Sequence, residues 1–115
     1  MNLTVLIADD DPVQRRLLET MVRRFGYDAE TVDGGEAALA RLDDGAKPAV
    51  SLLILDLVMP DLDGMGVLAR LRKRGVNLPV IVQTAHGSIE VVVSAMRAGA
   101  SDFVVKPVGA ERLMV

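Results

Sequence analysis

Four apolar runs in this chain end in side chains able to act on a phosphoryl group or hold a cation. Val5-Leu6-Ile7-Ala8 leads into Asp9-Asp10-Asp11, and Leu52-Leu53-Ile54-Leu55 ends in Asp56. The run from Pro79 to Gln83 ends at Thr84, and Phe103-Val104-Val105 ends at Lys106. If the runs are parallel strands, all four ends lie on one edge of a sheet, where open α/β sheets keep their ligands. Carboxylates gathered at one edge repel one another unless a cation neutralises them. A hard divalent ion such as Mg2+ suits a few carboxylates, water and a phosphate. Thr84 and Lys106 suit the oxygens of a phosphoryl group. Asp56 is then placed to attack phosphorus and form an aspartyl phosphate. Such a transfer needs positioning and charge neutralisation above all.

The elements between these runs read as helices. Asp11-Pro12 is a start signal, with Pro in the first turn. Val13, Leu17, Leu18, Met21, Val22 and Phe25 follow at helical spacing, and Gly26 ends the pattern. Ala29 to Val32 reads as a weak second strand. Gly34-Gly35 opens a short helix through Ala38, Leu39 and Leu42, and is a turn rather than a phosphate loop. Asp43 to Pro48 is a polar loop. Val67, Leu68 and Leu71 mark a third helix that stops near Gly75. Ser88 caps a fourth, which runs to Ala98 and stops at Gly99. Strands alternating with helices imply a doubly wound parallel sheet.

Composition narrows the class. The chain has 115 residues, half of them hydrophobic, with no cysteine and a net charge of -3. That is one domain with its own core. It excludes a disulfide scaffold, a thiolate metal site and a cysteine nucleophile. It offers no electrostatic footprint for nucleic acid. No apolar stretch is as long as a membrane span, and the N-terminus lacks a signal-peptide pattern, so a cytoplasmic protein is expected. The helix from Ala110 to Val115 has only six residues, against a usual mean of about eleven. The expectation is a truncated last helix in an N-terminal fragment of a longer regulator.

With these residues in view, the chain resembles the receiver domains of two-component response regulators. The resemblance rests on Val5 to Pro12, the run from Asp56 to Gly64, Thr84-Ala85 and Lys106-Pro107, in family order and spacing. It implies a three-layer α/β/α, flavodoxin-like sheet of five parallel strands in the order 2-1-3-4-5, over residues 1–115. It implies Asp56 as phosphoacceptor. Asp9, Asp10, Asp56 and the backbone carbonyl of Val58 would hold Mg2+. Thr84 would bond a phosphoryl oxygen and Lys106 would pair with Asp56 or its phosphate. Asp11 lies one place past the acidic pair and caps the first helix. Phe103 falls at the family's aromatic switch position, though a lone aromatic in a strand also reads as core. Val58 and His86 fall where the family tunes phosphoryl lifetime, and His86 also reads as a plain loop residue. Met59 and Met65 read as packing residues.

The implied function is a phosphorylation switch, not a classical enzyme, that assists its own phosphorylation and dephosphorylation. The donor would be the phosphohistidine of a sensor histidine kinase or phosphotransfer protein. The output would be transcription, through a surface around the fourth helix and fifth strand. Ile89, Val92, Val93 and Met96 form one apolar stripe on that helix, and Val91, Ala95 and Ala98 another. A helix so apolar is expected to be buried on more than one side, with one face on the sheet and the other on a partner. A homodimer through the fourth helix, fifth strand and fifth helix follows from the resemblance. The stretch from Thr84 to Glu90, with Ala95 to Ala100 and Asp102-Phe103, is similar to receivers joined to sigma-54-dependent (NtrC-type) activators. On that reading an ATPase and a DNA-binding domain would follow Val115.

Rival readings differ at named residues. An Asp-nucleophile Mg2+ phosphatase typically needs a second Asp two residues after the first, where this chain has Val58. A flavodoxin-like cofactor binder needs a phosphate loop where this chain has three acids. A non-phosphorylated docking module of receiver fold would not need the full set of Asp9, Asp10, Asp56, Thr84 and Lys106.

Overall fold

Strand and helix alternate along the chain: β1 (Thr4–Ala8), α1 (Pro12–Arg24), β2 (Asp28–Val32), α2 (Gly35–Leu42), β3 (Leu52–Asp56), α3 (Gly64–Lys73), β4 (Val80–Thr84), α4 (Ile89–Arg97) and β5 (Asp102–Val105). The computed structural model describes residues 3–84 and 89–105. The helix expected after Lys106 lies outside them, as do Ser88, His86 and Lys106. All strands pair in parallel, in the order β2-β1-β3-β4-β5. This is the expected flavodoxin-like sheet. β3 and β4 each run one residue beyond the apolar runs, because the ladder continues through Asp56↔Gln83 and Thr84↔Val105.

Period-two alternation divides the core. Leu6, Ala8, Leu53, Leu55, Val80 and Val82 face the side that carries Ala38 and Leu39 of α2, Val67, Leu68 and Leu71 of α3, and Ala95 of α4. Val5, Ile7, Ile54 and Val104 face Leu18 and Val22 of α1, with Ile81 packed alongside. The three-layer arrangement follows, since each helix buries an apolar stripe and the sheet buries both faces. Met59 and Met65 belong to the first of these clusters, as packing residues.

α1 is capped by Asp11, whose Oδ1 accepts the backbone N–H of Val13 at 2.9 Å and of Gln14 at 3.4 Å. Pro12 at the first position loses nothing by lacking an N–H there. Gly26 takes φ 87° just past the helix, a conformation that costs other residues a steric penalty. The inward stripe of α1 differs from the simplest reading of its apolar residues. Leu18 and Val22 are buried, and Gln14, four residues before Leu18, is buried with them. Val13 is 77% exposed and Leu17 is also outside. One helix face can meet the sheet, and Leu18 and Val22 select it.

The two apolar stripes of α4 have different surroundings. Val91, Ala95 and Ala98 pack on the core. Ile89 is 81% exposed and Met96 42%, with Val93 also outside. Within this chain the helix packs on the sheet along one stripe, Val91, Ala95 and Ala98, and Ile89, Val93 and Met96 of the other are its exposed face.

Candidate functional site

Three carboxylates meet at the carboxyl edge of the sheet. β1 and β3 are neighbours with Ala8 opposite Leu55, so the next residues, Asp9 and Asp56, leave the sheet side by side. Continued alternation puts both on the α1 side, the side of Ile7 and Ile54. Asp10 adds a third carboxylate. One oxygen from each of Asp9, Asp10 and Asp56 lies within 4.8 Å of the others. Asp9 and Asp56 are buried and Asp10 is exposed.

Backbone donors orient the buried pair. Asp9 Oδ1 accepts the N–H of Asp11 at 2.9 Å, and Asp56 Oδ1 accepts the N–H of Val58 at 3.1 Å. The guanidinium of Arg15 donates to the Asp9 carbonyl at 2.9 Å. The loop after β3 is held at both ends. Leu57 N–H donates to the Gln83 carbonyl at 3.0 Å, and Gly64 N–H to the Leu57 carbonyl at 3.1 Å. Gly64 is needed there, because a β-carbon would run into the Asp56 carbonyl and lie 2.8 Å from Leu57 Cα.

The donor set fits a hard divalent cation. All three side chains offer carboxylate oxygens and none offers sulfur or nitrogen, the preference of Mg2+. Crowded carboxylates also gain most from a cation, since like charges this close repel one another.

Thr84 closes β4 one strand from Asp56 and is buried. Phe103 pairs with Val82, and Val105 with Thr84. Phe103 packs half-buried into the α2–α4 side of the core. Val58 is 67% exposed, beside the acidic cluster. Among the expected residues, Asp9, Asp10, Asp56, Val58, Thr84 and Phe103 thus gather at or near one edge, and Lys106 and His86 lie outside the described residues.

Gln83 is the site residue that motif reading passes over. Its Nε2 donates to Asp9 Oδ2 at 2.8 Å, a buried bond between residues 74 apart in the chain. The available signal is an amide at the end of an otherwise apolar run.

Five parallel strands in this order, with clustered acids at the carboxyl edge, define a CheY-like α/β domain. The family described as "Response regulator receiver domain" matches residues 5–115. The chain is similar to the response regulator protein FleR of Pseudomonas aeruginosa, with 40% identity over 114 residues, covering 99% of this chain and 24% of that protein. It is similar to the transcriptional regulatory protein TrcR of Mycobacterium tuberculosis, with 33% identity over 112 residues, covering 97% of this chain and 42% of the other. Among solved structures it resembles the Francisella response regulator 1452 receiver domain, with TM-score 0.89, 31% identity and coverage of 98% and 91%. It also resembles NtrX from Brucella abortus, with TM-score 0.88 and 35% identity, covering 99% of this chain and 26% of that one. The chain belongs to the response regulator receiver domain family. It spans between 24% and 47% of the lengths of the curated relatives it matches.

Proposed function

We propose that this domain is a phosphoacceptor switch. The observation that carries the reading is the buried Asp56 carboxylate within 4.8 Å of Asp9 and Asp10 at the carboxyl edge of the sheet. A sensor histidine kinase or phosphotransfer protein presents a phosphohistidine. An Asp56 oxygen attacks phosphorus, the phosphorus–nitrogen bond breaks, and its electron pair returns to the imidazole. Val58 N–H holds Asp56 Oδ1 and so fixes the plane of the carboxylate. Asp9, Asp10, Asp56 and the Val58 carbonyl would hold Mg2+, which would supply charge neutralisation for the transfer. Thr84 donates its hydroxyl to a phosphoryl oxygen, and Lys106 supplies the cationic partner. Val58 and His86 tune how long the phosphoryl group survives.

Switching is then a population shift. The phosphoryl group favours the arrangement in which Thr84 reaches it, and Phe103, diagonal to Thr84 across the β4–β5 ladder, follows. The exposed apolar face of Ile89, Val93 and Met96 supports a homodimer or partner surface on α4 and β5. The names and lengths of the relatives support a longer regulator of transcription of which this receiver is one part. The likeness to NtrX supports the sigma-54 subgroup.

The test is intact mass after treatment with acetyl phosphate and Mg2+. Wild type gains one phosphoryl adduct and Asp56→Asn gains none. Equal adduct on the variant overturns the assignment. No adduct on wild type favours a docking module. A phosphatase is disfavoured at Val58, where the second acid would stand.

A further inference from the structure

Gln83 is 0% exposed and lies opposite Asp56 in the β3–β4 ladder. Its other strand neighbour is Val104, a buried residue of the α1-side core. An apolar residue would suit that position. Instead an amide reaches across β3 and donates Nε2–H to Asp9 Oδ2 at 2.8 Å. Its Oε1 has no hydrogen-bond partner among the described residues. An unpaired buried carbonyl is a cost to folding, and what the amide provides in return is the donor that holds the buried Asp9 carboxylate. With Asp11 N–H on Oδ1, both oxygens of Asp9 are held by donors, which leaves the carboxylate one orientation.

We propose that Gln83 is a positioning residue for cation binding: it locks Asp9 into the orientation that the three-carboxylate cluster requires, and so makes β4 part of the cation site. The inference rests on the reading of Asp9, Asp10 and Asp56 as a Mg2+ site. Partners that orient a metal ligand typically change affinity by about 10- to 100-fold when removed. Gln83 also precedes Thr84 in the chain and accepts Leu57 N–H from the loop after Asp56. The cation and the phosphoryl-binding hydroxyl therefore share one strand end.

The test compares wild type with Gln83→Met, which keeps length and removes the donor, and with Gln83→Leu. Mg2+ alone is titrated by calorimetry, and urea unfolding is followed in EDTA. The expected result is Mg2+ affinity about 10-fold weaker in both variants, which stay folded in EDTA, whereas the α1 core variant Val22→Ala lowers the urea midpoint and leaves Mg2+ affinity within about twofold of wild type. This contrast separates positioning from a structural role. Affinity within twofold of wild type in the Gln83 variants overturns the proposal. So does an equal loss of Mg2+ affinity in Val22→Ala, or failure of both Gln83 variants to fold, since either makes the amide a structural bridge. If wild type itself binds no Mg2+, the cation-site reading fails first, and the proposal falls with it.

Discussion

The Asp61 carboxylate accepts the backbone N–H of Gly35 at 3.1 Å, across 26 residues of chain. Its second oxygen accepts the N–H of Glu36, also at 3.1 Å. α2 begins at an N-cap glycine, Gly34, that has no side chain to satisfy the first-turn donors. Asp61 supplies that cap from the loop that follows the site. A β-carbon on Gly34 would lie 2.8 Å from Asp61 Oδ1, so the bare cap and the distant carboxylate go together.

Hydrogen bonds from the backbone N–H groups of Leu62, Glu36 and Gly35 hold the Asp61 carboxyl below its ordinary value of 3.8. A depressed folded-state value means stability that is present above the unfolded value and lost as pH falls through the folded one. Asp61→Asn is therefore expected to lower the urea midpoint at pH 7. The difference from wild type narrows as the pH falls below about 3.8. Midpoints measured across the acid range check this, and a difference that does not vary with pH contradicts it.

Gly64→Ala is expected to cost about 1–3 kcal/mol, the range for forced overpacking. The new methyl group meets the backbone of Asp56 and Leu57 rather than a flexible side chain, so the loop after β3 must shift. Urea unfolding measures the loss. Mg2+ affinity falls with it, because the shift displaces the Val58 N–H that holds Asp56.

Arg41 is a buried cation at the end of α2. Its Nε donates to Glu30 Oε1 at 2.6 Å and its Nη2 to Glu30 Oε2 at 3.0 Å, while Nη2 also reaches the Pro48 carbonyl at 2.6 Å. The hydrogen bond from Arg41 holds the Glu30 carboxyl below its usual value and outweighs the opposing effect of burial. Arg41→Met is expected to lose about 2 kcal/mol at pH 7, in line with charged hydrogen bonds. Arg41→Lys recovers little, since an ammonium lacks the planar fork. The loss lessens as pH falls through the depressed value of Glu30, because the wild-type pair is then dissolved by protonation. Unfolding curves at neutral and acid pH check both parts.

Removal of divalent cations separates repulsion from binding in the acidic cluster. In EDTA, Asp56→Asn is expected to stabilise the fold by about 1–3 kcal/mol, since one of three close carboxylates loses its charge. Saturating Mg2+ narrows that gap, because wild type gains about 1.4 kcal/mol for each tenfold excess over its dissociation constant. Thermal unfolding with EDTA and with Mg2+ measures the narrowing. A variant less stable than wild type in EDTA contradicts it.

Much of this architecture was legible before any coordinates. Apolar runs of four or five residues, each followed by a helical pattern, specify parallel crossovers. Parallel strands in turn bring Asp9, Asp56 and Thr84 to one edge. Asp11-Pro12 marks the start of α1 because capping and proline geometry are local. α1 and α4 show where such reading stops. Both offer apolar side chains on more than one face, and periodicity alone does not say which face meets the sheet. Packing chooses Gln14, Leu18 and Val22 over Val13 and Leu17, and Val91, Ala95 and Ala98 over Ile89 and Met96.

By itself the sequence determined the order of elements and the meeting of carboxylates at one edge, since both follow from the periods of strand and helix and from the polar residues that end each run. Only the tertiary structure decided how Asp9 is held by Gln83 and how α2 is capped by Asp61. Those bonds join residues 74 and 25 or 26 positions apart. A hydrogen bond forms only within about 3 Å and in a narrow range of directions, so it depends on where separate stretches of chain pass one another, which no local pattern encodes.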